Sequence, residues 1–221
     1  MHKLLLLGHR GCRLPGITEN SLAAFEYALA HGAEGFEFDV RYTLNGRTVL
    51  WHDPKWQGKT IGATADADLA CGSGNRLARL EDVLQRFGGR AWLDIELKVA
   101  GNEAAVLAAL SASPPQRGFL VTSFLPEVLR RLHDLNPDLP LGFICDRRDF
   151  LGLYRELPLR VLLPHQKLVT PQLIDEVHQH GLQIMTWTVN DQPRMLELAG
   201  QGIDGLISDD PGLLYQTFHT R

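Results

Sequence analysis

Two histidines that close apolar runs, carboxylates spaced two apart, and basic residues beside both are the side chains here with the types and spacing for chemistry. His9 and Arg10 follow the apolar run 4–7, and His52 and Asp53 close the extended piece 48–52. Imidazole titrates near neutral pH, so His9 and His52 form a natural acid–base pair. Glu37 and Asp39 lie two apart, and Asp94, Glu96 and Lys98 repeat that spacing. On a strand, residues two apart share a face. Phe36, Phe38, Val40, Ile95 and Leu97 then take the opposite face. Carboxylates crowded on a buried face repel one another, and each costs several kcal/mol if left unpaired. A divalent cation removes that cost, and an all-oxygen donor set suits Mg²⁺ or Ca²⁺ rather than zinc. Glu37, Asp39 and Glu96 are therefore the expected ligands of one hard cation. The structural alternative pairs them with Arg10, Arg41 and Lys98 as salt bridges. Arg10 and Lys98 also offer donors and positive charge to a phosphate. The whole set suits a phosphodiester and suits a neutral carbonyl substrate poorly.

The elements that must position these groups are legible as an alternation. Strand-length apolar runs cover 3–7, 35–40, 91–97, 118–123, 141–144, 161–163, 183–189 and 205–207. Helical patterns between them cover 19–31, 80–87, 102–110, 126–135, 149–155, 171–180, 192–199 and 212–218. Pro126, Pro171 and Pro193 fall near helix starts, and Gly32, Gly181 and Gly202 just past helix ends. Eight strand–helix units predict an α/β fold, a TIM (β/α)8 barrel. A doubly wound sheet fits less well, because 8–11 lacks the GxGxxG spacing of a phosphate loop. The chain 1–221 reads as a single barrel domain with a small insertion at about 53–78, after strand two. In such a barrel, catalytic groups stand at the C-terminal strand ends, where the two histidines and the carboxylates fall. The remaining His31, His133, His178, His180 and His219 sit on helices or at the terminus and read as surface residues.

Composition narrows the class further. The chain has 221 residues, is 44% hydrophobic and carries a net charge of −4. Scattered basic residues and that charge argue against nucleic-acid binding. No run approaches the ~18 apolar residues of a membrane span, so no stable membrane insertion is expected. Cys12, Cys71 and Cys145 form no CxxC and no even-numbered framework, which fits reduced thiols in a cytoplasmic setting.

Taken in order, the motifs resemble the glycerophosphodiester phosphodiesterase family. They are His9-Arg10-Gly11, Thr18-Glu19-Asn20-Ser21, Glu37-Phe38-Asp39-Val40, His52-Asp53, Glu96-Leu97-Lys98, Trp187-Thr188-Val189-Asn190 and GLISDDP at 205–211. The ordered set spans the chain. The resemblance implies a TIM barrel that hydrolyses small-molecule glycerophosphodiesters, such as glycerophosphocholine, to sn-glycerol 3-phosphate and an alcohol. It implies His9 and His52 as general acid and base. Glu37, Asp39 and Glu96 would hold one divalent cation, Mg²⁺ or Ca²⁺, and Arg10 and Lys98 would contact phosphate. Glu19 and Asn20 would brace the site or touch the metal shell, Trp187 would line the wall for glycerol or leaving group, and His165 is a further pocket candidate. The chain departs from the pattern after Asp53, where 54–60 replaces a longer Arg-Thr-Thr segment that would help choose the alcohol.

Three other readings have identifiable signatures. A related barrel phospholipase D-like enzyme acting on lysophospholipids would show an apolar lip or a secretory route. A non-catalytic binder of phosphate compounds would be expected to lose a histidine or a metal carboxylate. A Schiff-base barrel using Lys98 would keep that lysine away from carboxylates, and Glu96 is two residues off on the same face.

Overall fold

Short apolar runs separated by amphipathic stretches close here into an eight-stranded parallel barrel. The computed structural model describes residues 4–69 and 77–219. Cys71 lies outside the described residues. The strands are β1 (Leu5–Gly8), β2 (Gly35–Tyr42), β3 (Thr48–Leu50), β4 (Lys55–Trp56), β5 (Lys59–Thr60), β6 (Trp92–Leu97), β7 (Phe119–Ser123), β8 (Leu141–Cys145), β9 (Val161–Pro164), β10 (Gln183–Thr186) and β11 (Gly205–Ser208). The helices are α1 (Leu22–Ala30), α2 (Leu80–Phe87), α3 (Glu103–Ala112), α4 (Pro126–Leu135), α5 (Pro171–Gln179), α6 (Gln192–Gly200) and α7 (Pro211–His219). The parallel order runs β1-β2-β6-β7-β8-β9-β10-β11, and β1 pairs with both β2 and β11 to close the ring. β3 lies antiparallel on the outer end of β2, and β4 and β5 form a separate hairpin.

Strand alternation sorts the apolar side chains into two layers. Phe25 on α1 stacks on Phe36 at 4.2 Å and meets Phe87 edge-on at 5.8 Å, between the strands and the helices. Leu7, Leu120, Ile144, Leu163, Met185 and Ile207 instead fill the barrel interior. A third, small cluster of Val49, Ile61, Leu69 and Leu77 sits under Trp51 and Trp56 in the segment after β2.

Three elements differ from the sequence expectation. The helix predicted over 149–155 is a 3₁₀ segment, Leu151–Glu156. Six residues with Gly152 inside do not offset the cost of an α-helical nucleus. The strand predicted to 189 ends at Thr186, after which Trp187 makes a lone bridge to His165. The first helix starts at Leu22 rather than Glu19. Asn20 has φ 55°, outside helical space, and Ser21 caps the helix by accepting the Ala24 N–H at 3.1 Å. Glu19 and Asn20 thereby remain free to serve the barrel mouth.

Phe25 is fully buried in the aromatic stack. Phe25→Ala should cost about 3–5 kcal/mol, measured by urea unfolding. A loss below about 1 kcal/mol would show that this aromatic layer does not carry the helix–strand packing.

Candidate active site

Parallel pairing sets the central geometry. β2 and β6 run in register with Glu37 opposite Asp94 and Asp39 opposite Glu96. All four side chains point into the barrel, and all are buried. One oxygen each from Glu37, Asp39 and Glu96 lies within 4.8 Å of the other two. Oxygen ligands about 2.1–2.5 Å from one ion are separated by comparable distances, so the trio fits a hard divalent cation. One oxygen of the trio reinforces the fit: among the described residues Glu37 Oε1 is buried and accepts no hydrogen bond, and the same is true of Asp94 Oδ2 beside the trio. The sequence placed Asp94 on this face without a partner; Thr122 Oγ1 donates to its Oδ1 at 2.7 Å.

Basic side chains engage the same cluster. Lys98 Nζ stands 2.6 Å from Glu96 and 3.3 Å from Asp39, and Arg10 Nε 3.1 Å from Asp39. The salt-bridge alternative therefore holds for Arg10 and Lys98 alongside the candidate cation site. It does not hold for Arg41, whose Nε and Nη2 donate to the His52 carbonyl at 2.8 and 2.6 Å. Arg41 thus ties β2 to the segment carrying His52. Burial, then repulsion from Asp39, pushes Glu96 up to about 8. Burial also pushes Asp94 to about 7 and Glu37 well above the usual carboxylate range. Burial opposes ionisation at Asp39 as well, but Lys98, Arg10 and the Asn20 amide hold it low.

The loop after β1 is shaped to meet this cluster. Arg10 takes φ 51° and Gly11 φ 80°, which turns the Arg10 N–H onto Glu37 Oε2 at 2.9 Å. A Cβ on Gly11 would fall 2.7 Å from the Ala24 backbone, so only glycine fits there. Glu19 accepts from Arg10 Nη1 at 2.7 Å. Asn20 clamps Asp39 twice, donating to Oδ2 at 2.7 Å and accepting the Asp39 N–H at 3.0 Å. Glu19 and Asn20 thus hold Arg10 and Asp39 in place.

Each histidine has a carboxylate behind it. Asp209 Oδ1 lies 2.6 Å from His9 Nδ1, and His9 Nε2 is 4.0 Å from Glu37. Asp209 also accepts from Asn190 Nδ2 at 2.7 Å. Asp53 Oδ1 sits 2.8 Å from His52 Nδ1. Burial lowers the His52 pKa, with Asp39 opposing. Asp209 carried no role in the sequence reading. The available signal was its position two residues beyond Ile207, at the end of an apolar strand like His9.

His9, Arg10, Glu37, His52, Glu96 and Lys98 line one cavity of about 230 Å³. Its other wall contains Phe124, Asp146 and Trp187, of which the sequence had singled out Trp187 alone. His165 is not among the lining residues; it packs against Trp187 with ring centroids 5.3 Å apart. His31, His178, His180 and His219 are exposed, and His133 is half-buried.

Comparison with known proteins agrees with this architecture. A family model described as the glycerophosphoryl diester phosphodiesterase family matches residues 9–213. A glycerophosphodiester phosphodiesterase from Caldanaerobacter subterraneus is 27% identical over 96% of this chain and 96% of its own length. A glycerophosphodiester phosphodiesterase structure from Parabacteroides distasonis superposes with a TM-score of 0.87 at 24% identity, covering 99% of this chain and 98% of that one. An Oleispira antarctica phosphodiesterase, solved with its product sn-glycerol 3-phosphate, also scores 0.87, at 23% identity over 98% of this chain and 97% of its own.

The raised carboxylates yield a stability test. Folded Glu96 and Asp94 hold protons to about 8 and about 7, whereas unfolded carboxylates release theirs near 4.5 and 3.8. The stability they contribute is complete below the unfolded values and is lost as pH rises through 7 to 8. In EDTA, Tm should therefore fall between about pH 6 and about pH 8.5, and a divalent cation should restore more at the higher pH. At a hundredfold excess over Kd the gain is about 2.7 kcal/mol, or roughly 5–10 °C, by thermal melting. An equal cation effect at both pH values would contradict buried acids at the ion site.

Proposed function

Because this chain belongs to the glycerophosphoryl diester phosphodiesterase family, we propose that it hydrolyses glycerophosphodiesters to sn-glycerol 3-phosphate and an alcohol. The observation that carries the reading is the pairing of two carboxylate-backed histidines with a three-carboxylate cluster around one cavity. Glu37, Asp39 and Glu96 would hold one Mg²⁺ or Ca²⁺. When bound, that cation supplies positive charge against the charge developing on the phosphate oxygens.

The chain's own residues do the rest. Arg10 and Lys98 present donors beside the carboxylates, where the phosphate must sit to balance charge. Asp209 takes the Nδ1 side of His9, and Asp53 that of His52, leaving each Nε2 as the working nitrogen. One Nε2 takes the proton of the attacking hydroxyl; the other donates a proton to the departing alcohol oxygen. In this reading the attacking group is the glycerol 2-hydroxyl. It forms a cyclic phosphate, which water opens to sn-glycerol 3-phosphate. Trp187 and Phe124 form the wall opposite the phosphate and keep the reacting atoms from bulk water.

The whole chain would act as one catalytic unit on a small-molecule substrate in the cytoplasm. No helix among the described residues is long and apolar enough to cross a membrane, and Cys12 and Cys145 are unpaired thiols.

His9→Ala and His52→Ala should each lower kcat by about 10²–10⁴, followed as release of sn-glycerol 3-phosphate from glycerophosphocholine. Near-normal turnover in either variant would remove that histidine from the mechanism. EDTA should abolish turnover, and Mg²⁺ or Ca²⁺ should restore it; full activity in EDTA would sink the cation assignment.

A further inference from the structure

The cavity has two unlike walls. β1, β2 and β6 bring the charged groups, including Arg10 and Lys98. β8, β9 and β11 give a floor of Ile144, Leu163 and Ile207, all buried. Phe124, Asp146 and Trp187 follow β7, β8 and β10 and stand at the rim, where Asp146 is exposed and the two rings are half-buried.

The rim is rigid on its aromatic side. The Trp187 indole N–H donates to the Leu163 carbonyl at 2.9 Å, and Phe124 meets the indole edge-on at 5.5 Å. Phe124 already faces a cation, since Lys98 Nζ stands 5.5 Å from its ring centre. The charge on Lys98 is matched by Glu96 and Asp39.

Asp146 has no such match. Among the described residues no ion pair and no side-chain hydrogen bond engages its carboxylate; Arg147 and His165 act on it only at longer range, and Arg147 is itself paired with Asp149. Among the described residues it is also the one charged group lining this wall of the cavity. A free carboxylate facing a cavity that must admit a phosphodiester anion repels that anion. The repulsion becomes attraction when the substrate itself carries a positive charge to that place. Aromatic rings beside a carboxylate are the surroundings that recognise an ammonium group.

The geometry points to a rim subsite for a cationic amino alcohol, in which Asp146 pairs with the ammonium while Trp187 and Phe124 pack against its carbons. The subsite rests on the glycerophosphodiester reading and specifies the alcohol half of the substrate. The alcohols in question are ethanolamine and its trimethylated form, choline. Neutral polyols such as glycerol or inositol would leave Asp146 unpaired.

The test is kcat/KM on four substrates: glycerophosphocholine, glycerophosphoethanolamine, glycerophosphoglycerol and glycerophosphoinositol. The wild-type enzyme should favour the two cationic substrates by about tenfold. Asp146→Asn should shrink that ratio about fivefold or more, Asp146→Glu should retain most of it, and added salt should narrow it. A second measurement needs no variant. Free choline should inhibit the wild-type enzyme at least about fivefold more strongly than its uncharged isostere 3,3-dimethylbutan-1-ol. Equal kcat/KM across the four substrates, a ratio unmoved by Asp146→Asn, or equal inhibition by the two alcohols would each overturn the subsite. Failure to release sn-glycerol 3-phosphate from any of the four would instead overturn the glycerophosphodiester reading beneath it.

Discussion

Four carboxylates project into one barrel from two neighbouring parallel strands, and the register that places Glu37 beside Asp94 and Asp39 beside Glu96 makes their mutual repulsion unavoidable. Much of the surrounding structure answers that charge. Lys98 reaches across Glu96 and Asp39, Arg10 reaches Asp39, and Thr122 and Asn20 each satisfy a carboxylate oxygen. These groups do not meet every oxygen: Glu37 Oε1 and Asp94 Oδ2 are left without a donor. Burying a charge without full pairing is strongly unfavourable. A small divalent cation held by Glu37, Asp39 and Glu96 would relieve the remaining repulsion, so the same crowding that is costly without an ion would favour ion binding.

The conformation of the β1–α1 loop follows from that constraint. Turning the Arg10 amide onto Glu37 requires positive φ at Arg10 and Gly11, and the chain then passes so close to Ala24 that no side chain fits at Gly11. Strained or left-handed backbone is retained where neighbouring contacts over-determine it. Here the contacts are the Asn20 clamp on Asp39 and the Glu19 bond to Arg10. The helix behind the loop begins late because Asn20 and Glu19 are committed to the site.

The histidines enter from opposite directions. His9 stands on the barrel itself, held by Asp209 across the β1–β11 seam that closes the ring. His52 belongs to the segment after β2, and Arg41 fastens its carbonyl while Asp53 orients its ring. One imidazole is thus rigid with the sheet, and the other depends on a short segment with its own small core. His52 on that segment and Asp146 on the rim are both more exposed than the buried carboxylates of β2 and β6.

The sequence by itself determined the barrel, because eight strand-length apolar runs alternating with helical patterns leave few other folds. It also brought out Glu37, Asp39, Glu96 and both histidines as the candidate site residues, because strand alternation fixes which residues share a face and because polar residues closing buried strands stand out. It misjudged 149–155, where a local pattern was too short to sustain an α-helix, and it carried the seventh strand run beyond Thr186. Only the tertiary structure decided what sits behind each functional group. Asp209 is 200 residues from His9 in sequence, yet the closure of the barrel makes them a hydrogen-bonded pair. Arg41 shares a strand face with the carboxylates but turns to the His52 carbonyl, and Asp146 joins the cavity through β8. Such partnerships depend on which strand ends meet in space, and strand periodicity carries no information about that.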